Sequence, residues 1–247
     1  MTYRCGEDKY QKFILEIRNY FQKEKNTLFK QRNTIKLIAY DEKKYAVKSF
    51  KTPHLLNQIV YRFFRASKAQ RSYENSVKLK ELGINTPNPI GYIEFPSLFL
   101  FKESYYISEF FDFDFEIRDV LSDENFKDRE TILEAFVAFS YDLHNKGVYH
   151  VDYSPGNVII KKLEEGYEFA IIDVNRMKFI EYDDEIRFKN LSRFSTSAED
   201  LEFIAKHYAK ISGIDEVFSI STLWKYHNEH QQYLVNKKRL KALKKKK

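Results

Sequence analysis

A short polar stretch late in the chain has residue types and spacing suited to phosphoryl transfer. His150-Val151-Asp152-Tyr153-Ser154-Pro155-Gly156-Asn157 reads H-x-D-x-x-x-x-N and runs into the apolar Val158-Ile159-Ile160. Sixteen residues after Asn157, Asp173 follows a second apolar run, Ala170-Ile171-Ile172. Moving phosphate to an alcohol calls for a carboxylate that orients the attacking hydroxyl and for hard oxygen ligands that hold Mg2+ against nucleotide phosphates. Asp152 suits the first task, and Asn157 and Asp173 suit the second. A cation for the phosphates is available in Tyr45-Ala46-Val47-Lys48, with Glu74 the best-placed carboxylate to hold its ammonium. Taken singly, each residue has a plainer reading, because Asp and Asn at strand ends are usually turn formers and a strand lysine is usually exposed. The two spacings, and the order Lys48, Glu74, Asp152, Asn157, Asp173, favour the chemical one.

Local patterns place these residues on elements. Thr34 to Tyr40 and Lys44 to Phe50 alternate apolar and polar residues around Asp-Glu-Lys, which predicts a hairpin carrying Lys48. A helix is expected from Ser67 to Leu82, with Ser67 as its cap, Ala69, Tyr73 and Val77 on one face, and Gly83 in the left-handed position after it. Strand-like runs at Ile90 to Phe95 and Leu98 to Ser108 follow the break Thr86-Pro87-Asn88-Pro89. Ile132, Phe136, Phe139 and Leu143 mark a helix that stops at Asn145-Lys146-Gly147. Strands at Val158 to Lys162 and Glu168 to Val174 then flank a Glu-Glu-Gly turn beyond the candidate loop, and Ser197 with Asp200 has capping-box spacing for a helix from about Ala198 to Ile211. The result is an α+β chain of two lobes: a strand-rich lobe over residues 1–108 and a mainly helical lobe over 109–247, with the boundary near Glu109 to Asp112.

The motif set resembles the protein-kinase-like superfamily. His150 to Asn157 is similar to its catalytic loop, Asp173 to its metal-binding aspartate, and Tyr45-Ala46-Val47-Lys48 to its V-A-I-K strand. Within that superfamily the chain resembles the lipopolysaccharide core kinases, the Kdo and heptose kinase family, over nearly its whole length. The cues are Tyr61 to Tyr73 leading into Glu74-Asn75, the phrase Gly83 to Gly91, the short H-x-D loop and Lys189-Asn190-Leu191-Ser192-Arg193-Phe194. The resemblance implies transfer of phosphate from ATP, with Mg2+, to an inner-core sugar of a lipid A-linked saccharide. It implies Asp152 as base, with Lys48 and Glu74 completing the catalytic set, and Asn157 and Asp173 as metal ligands. It also implies ATP between the lobes, its adenine against the Glu109 to Phe111 hinge. Two rivals share the constellation: a kinase for a free small alcohol of the aminoglycoside or choline type, and a nucleotide-binding module without catalysis.

Departures from the superfamily pattern carry information. The segment Phe29-Lys30-Gln31-Arg32-Asn33-Thr34, where a glycine-rich phosphate loop is expected, has no glycine, so Arg32 or Lys30 is expected to compensate. Asp173-Val174-Asn175 stands where D-F-G would, with neither an A-P-E motif nor a long activation segment before Leu191. These losses point away from a protein substrate and towards a small acceptor.

Composition sets the outer limits. Of 247 residues 43% are hydrophobic, 32% charged and 17% aromatic, which excludes a disordered chain, and the single Cys5 excludes an internal disulfide framework. No window has the apolar length of a membrane span, and Met1 to Lys12 lacks the apolar core of a signal peptide, so a cytoplasmic location is expected. Eight of the 42 basic residues fall in the last eleven positions, and the remaining 34 face 36 acidic residues, leaving a body at −2. That balance argues against a nucleic-acid binder. Two basic features remain as contact candidates. Arg62, Arg65, Lys68 and Arg71 recur every third residue and would line one helical face towards an anionic acceptor. The tail Lys237 to Lys247, with Leu240 and Leu243, would draw the chain to the anionic inner-membrane surface. His227 and His230, three apart after Trp224, read as a surface helix and not as a metal site, because no set of partner ligands accompanies them.

Overall fold

The computed structural model describes residues 1–30, 33–51, 66–97, 100–194 and 197–245. Two compact units emerge, one of Met1–Asp112 with Ile171–Arg176 and one of Phe113–Ala170 with Met177–Lys247. The mixed strand-rich and helical make-up is the α+β architecture expected. One difference concerns Ile171–Arg176, which belongs by its contacts to the first unit although it lies far beyond residue 108.

In the first unit β1 (Thr2–Cys5), β2 (Thr27–Lys30), β3 (Thr34–Tyr40), β4 (Lys43–Phe50), β5 (Pro89–Ser97) and β6 (Leu100–Glu109) form one sheet in the order β1-β5-β6-β4-β3-β2. The hairpin between β3 and β4 turns on Asp41 and Glu42 at φ 47° and 61°, two successive left-handed residues whose twist matches that of the paired strands. Period-two alternation gives the sheet two apolar faces. Tyr45, Val47, Ile93, Tyr105 and Ile107 pack with Phe13, Ile14 and Ile17 from the short helices Gln11–Leu15 and Ile17–Lys23. Phe50 and Tyr92 face the other way, against Ala69 and Tyr73 of the helix Lys68–Glu81. Gly91 is required by close approach: a Cβ there would lie 2.4 Å from the Arg4 carbonyl oxygen and 2.5 Å from Ile14 Cδ1.

Lys48 alternates with Val47 and so shares the face of β4 that carries Phe50, with its Nζ 5.3 Å from that ring's centroid. The Lys68–Glu81 helix starts where Ser67, in extended backbone, accepts a hydrogen bond from Gln70 N, and it ends before Gly83 at φ 67°. Of the basic run, Lys68 and Arg71 therefore fall on this helix, which begins after Ser67.

The second unit is mainly helical. β7 (Phe115–Glu116) leads into the helix Ile117–Ser122, followed by the helix Arg129–Asn145 and β8 (Val148–His150). β9 (Val158–Lys162) and β10 (Tyr167–Ile171) follow the catalytic-loop candidate, and β11 (Met177–Phe179) pairs with β8, Met177 opposite His150. Helices Asp184–Leu191, Ala198–Ser212 and Glu216–Lys245 complete the unit. Its core centres on Ile132, Leu133, Phe136 and Leu143 with Tyr153, Phe188, Phe194, Leu201 and Tyr208. Ser197 caps its helix by accepting from Asp200 N, but the capping box does not close, because buried Asp200 is claimed by Arg129 at 2.5 Å. In the last helix Ser219, Leu223 and His227 are buried, whereas Tyr233, Val235, Leu240 and Leu243 are exposed. His227 thus lies on the inner face of this helix, while His230 is half-buried. Among the described residues no helix is long and apolar enough to cross a membrane.

Candidate active site

The loop from His150 to Asn157 is fixed from within the second unit. His150 is buried, and its Nδ1 accepts a 3.1 Å hydrogen bond from the Asp152 amide, which ties the loop's first turn to the end of β8. Tyr153 is fully buried between Phe136 and Phe194 and meets Ser140 through its hydroxyl at 2.8 Å, so burial keeps the phenol protonated. Its neighbour Asp152 stays half-buried. The turn Pro155–Asn157 brings Asn157 back, and its Nδ2 donates to the Asp152 carbonyl at 2.8 Å. That bond fixes the amide's orientation, and Oδ1 is the atom left to ligate a cation.

Behind the loop lies a buried polar network that sequence reasoning missed. Asn190 donates from Nδ2 to the His150 carbonyl at 2.9 Å. Its Oδ1 must then accept the 3.2 Å bond from His144 Nε2, which assigns the proton to that nitrogen and makes Nδ1 the acceptor from the Tyr208 hydroxyl at 2.7 Å. Burial, opposed by the Asn190 bond, pushes the His144 pKa down to about 3, so the imidazole is neutral as this pattern requires. Asn190 was visible in the sequence only as part of the run Lys189 to Phe194, with nothing local to show that it reaches back forty residues.

In the first unit Lys48 Nζ lies 2.6 Å from Asp173 Oδ1. Lys48 is 13% exposed and Asp173 37%, so the pair is partly shielded from water. Asp173 takes φ 57°, a left-handed backbone that costs a non-glycine residue energy and that Asp tolerates better than most. Several bonds hold the segment in place. Ile171 N donates to the Asn85 carbonyl at 3.0 Å, Thr86 Oγ1 to the Ile171 carbonyl at 2.8 Å, Asn75 Nδ2 to the Val174 carbonyl at 2.7 Å, and Asn175 Nδ2 to Asp173 Oδ1 at 2.6 Å.

The remaining expectations fare unevenly. Glu74 does not hold Lys48: it is exposed and accepts from Gln70 Nε2 at 2.8 Å. The physical reason is helical phase, since the inward stripe Ala69, Ser72, Tyr73, Ser76 and Leu79 leaves Glu74 on the outer side and turns Asn75 towards Val174. Glu109 meets Lys43 at 3.4 Å, and its amide donates to the Asn88 carbonyl. Phe110 N is taken by the Lys44 carbonyl, so Phe111 supplies the segment's next backbone donor. Lys68 and Arg71 lie in the first turn of the Ser67-capped helix, with Arg71 Nε donating to the Ser67 carbonyl at 3.3 Å. Arg32, Arg62 and Arg65 lie outside the described residues. Among the described residues no group of three or more His, Cys, Asp or Glu side chains gathers in a way that could hold a metal on its own. Asp173 in the first unit and Asn157 in the second each carry a hard oxygen donor of the kind Mg2+ takes, so the chemistry of each side chain fits that ion.

The profile of the Lipopolysaccharide kinase (Kdo/WaaP) family matches residues 17–213. The chain belongs to that family. It is accordingly a kinase, and the motif set above lies within the matched span. Among solved structures, "WaaP in complex with acyl carrier protein" superposes with a TM-score of 0.61 at 15% sequence identity, covering 93% of this chain and 99% of that one. At that identity the likeness shows the shared fold alone. No curated protein matches.

Proposed function

We propose that this kinase transfers the terminal phosphoryl group of ATP to a hydroxyl of Kdo or heptose in the inner core of lipid A-linked saccharide. The observation that carries the reading is the 2.6 Å pairing of Lys48 with Asp173 in a chain whose other loop holds Asp152 and Asn157 in H-x-D-x-x-x-x-N register. A lysine and an aspartate 125 positions apart are brought together without a structural need for a partly buried charge pair, which is commonly a poor source of stability. Such a pair suits a site where both charges turn to a ligand.

Asp152 is the residue to orient the acceptor hydroxyl and take its proton. Its backbone is fixed by His150 and its side chain is half-buried. Lys48 is the cation for the donor phosphates, and Asp173 Oδ and Asn157 Oδ1 are the oxygens that would hold Mg2+. The ion, when bound, neutralises phosphate charge and aligns the transferring group. The Phe111 amide is the donor available to an adenine edge. Lys30 at the end of β2, or Arg32, in a segment of sequence without glycine, would serve the phosphates by side chain where backbone approach is closed.

The acceptor's place is an anionic membrane face, and the basic tail suits it. The helix Glu216–Lys245 carries the tail out with Leu240 and Leu243 exposed beside its lysines and Arg239. The test is transfer of labelled phosphate from ATP to Kdo-bearing lipid A, to its delipidated saccharide, and to choline and an aminoglycoside. Label on the saccharides alone supports the reading. Label on the free small alcohols alone overturns it.

A further inference from the structure

Arg118 takes no part in the chemistry described so far, yet its guanidinium lies on the catalytic loop. The side chain projects from the first turn of the Ile117–Ser122 helix, whose start is fixed by a reciprocal capping box between Glu116 and Asp119. It lies across Gly156. A Cβ built on that glycine would come 1.7 Å from Arg118 Nη2, 2.8 Å from Cζ and 3.3 Å from Nε, and these are its three nearest neighbours. Gly156 is not among the residues with left-handed backbone, so the turn itself does not demand a glycine there. The missing side chain serves close approach, and what approaches is the guanidinium. The contact falls between Asp152 and Asn157, directly next to the latter.

This guanidinium is short of partners. Its ion pair among the described residues is with Glu116 at 3.6 Å, beyond hydrogen-bond length, and the Arg118 side chain is 64% exposed. The Glu116 carboxylate is itself committed to the capping box, and burial raises its pKa, with Arg118 opposing. A planar fork of five donors, seated on the loop and left largely unsatisfied, matches the geometry of a carboxylate or a phosphate monoester.

We infer that Arg118 is a specificity residue that binds an anionic group of the acceptor, a sugar carboxylate or a saccharide phosphate, and so sets the hydroxyl that meets Asp152. The inference rests on the acceptor reading given above and deepens it. The acceptor is the partner indicated because the Arg118 side chain lies against the loop that carries Asp152, the residue that orients the attacking hydroxyl, and inner-core saccharides carry acidic groups beside their hydroxyls.

The test uses the full chain with MgATP and three acceptors: the Kdo-bearing lipid A saccharide, the same saccharide with its sugar carboxyls reduced to alcohols, and the same saccharide dephosphorylated. Loss of a charge-assisted contact in Arg118→Ala is expected to raise KM for the parent acceptor about 10- to 100-fold, with Arg118→Lys recovering only part. Affinity for a fluorescent ATP analogue should stay within about two-fold, as for an exposed substitution away from that ligand. On whichever modified acceptor has lost the recognised group, wild type should be as poor as the variant, which identifies the group as carboxylate or phosphate. Gly156→Ala adds a methyl that meets Arg118 and displaces it. It should raise acceptor KM in the wild-type background and add nothing in the Arg118→Ala background. Penalties that add in the double variant, an equal loss on all three acceptors, or weakened nucleotide binding would overturn the inference. No transfer by wild type to any of these saccharides would refute the acceptor reading itself, whereas an active wild type with an unaffected Arg118→Ala refutes only the role of Arg118.

Discussion

Replacing Asn190 by Asp keeps the shape of a side chain that is 1% exposed and reverses one hydrogen bond. The native amide donates to the His150 carbonyl at 2.9 Å and accepts from His144 Nε2 at 3.2 Å. A carboxylate retains the second bond and loses the first, leaving the His150 carbonyl buried without its donor at a cost of about 1–3 kcal/mol. It also buries a charge, which the molecule can relieve only by drawing a proton to the site. His144, held down to about 3 by burial in the native protein, should then titrate at a higher pH. A total near 3 kcal/mol corresponds to roughly 6–12 °C in melting temperature for a chain of this size. The same carbonyl belongs to His150, whose ring accepts from the Asp152 amide, so a loosened turn should lower kcat, up to about 100-fold for a misplacement near 1 Å. Calorimetry, steady-state ADP release and NMR titration of the His144 ring read the three effects separately. Melting within about 1 °C of wild type together with turnover within about two-fold would refute the claim that Asn190 positions the loop.

Four further outcomes follow from the same geometry. His144 takes up its proton in the unfolded chain near pH 6.5 but in the folded protein only near 3, so the unfolded state binds more protons across that window and stability falls as pH drops below 6.5. The loss should reach about 2 kcal/mol by about pH 5, and denaturant midpoints of a His144→Gln variant should show a correspondingly flatter acid limb. Glu74→Gln should change turnover by no more than about two-fold, because the carboxylate is exposed and away from Lys48; a loss of orders of magnitude would restore it as the lysine's partner in the working enzyme. Lys48→Met should weaken binding of a fluorescent ATP analogue and abolish transfer, and a variant with native nucleotide affinity and turnover would remove Lys48 from the site. Truncation after Asn236 removes eight positive charges at about 1 kcal/mol each near an anionic surface. It should reduce co-sedimentation with phosphatidylglycerol vesicles and flatten its salt dependence, while transfer to a soluble acceptor fragment stays near wild type; unchanged vesicle binding across the salt series contradicts a membrane role for the tail.

What was legible in the sequence was local. The β3 to β4 hairpin, the Lys68–Glu81 helix between Ser67 and Gly83, and the Ala198–Ser212 helix between Ser197 and Gly213 announce themselves through alternation, caps and left-handed glycines within a few residues. The two-lobed kinase-like fold followed from the order of motifs, and the family from phrases such as Gly83 to Gly91 and Lys189 to Phe194. What escaped were the partnerships, since these close over long separations: Lys48 with Asp173 over 125 positions, Arg129 with Asp200 over 71, Asn190 with His150 over 40. Glu74 misled because motif analogy gives a residue's place along the chain but not its helical phase. Burial of Ala69, Ser72, Tyr73, Ser76 and Leu79 settles that phase and turns Glu74 outward. Nothing local in the sequence marks Gly156, and only its contact with Arg118 shows what its missing side chain admits.

The most direct test of the central claim is a single-turnover measurement with labelled ATP and Kdo-bearing lipid A, comparing wild type with Asp152→Asn at equal nucleotide saturation. Wild type should place one phosphate on a Kdo or heptose hydroxyl, located by mass spectrometry of the cleaved saccharide. Asp152→Asn should bind the nucleotide analogue as wild type does and transfer at least about 100-fold more slowly, the loss expected for a positioned base. Equal transfer rates for the two proteins, or wild-type label found on no saccharide hydroxyl, would contradict the account.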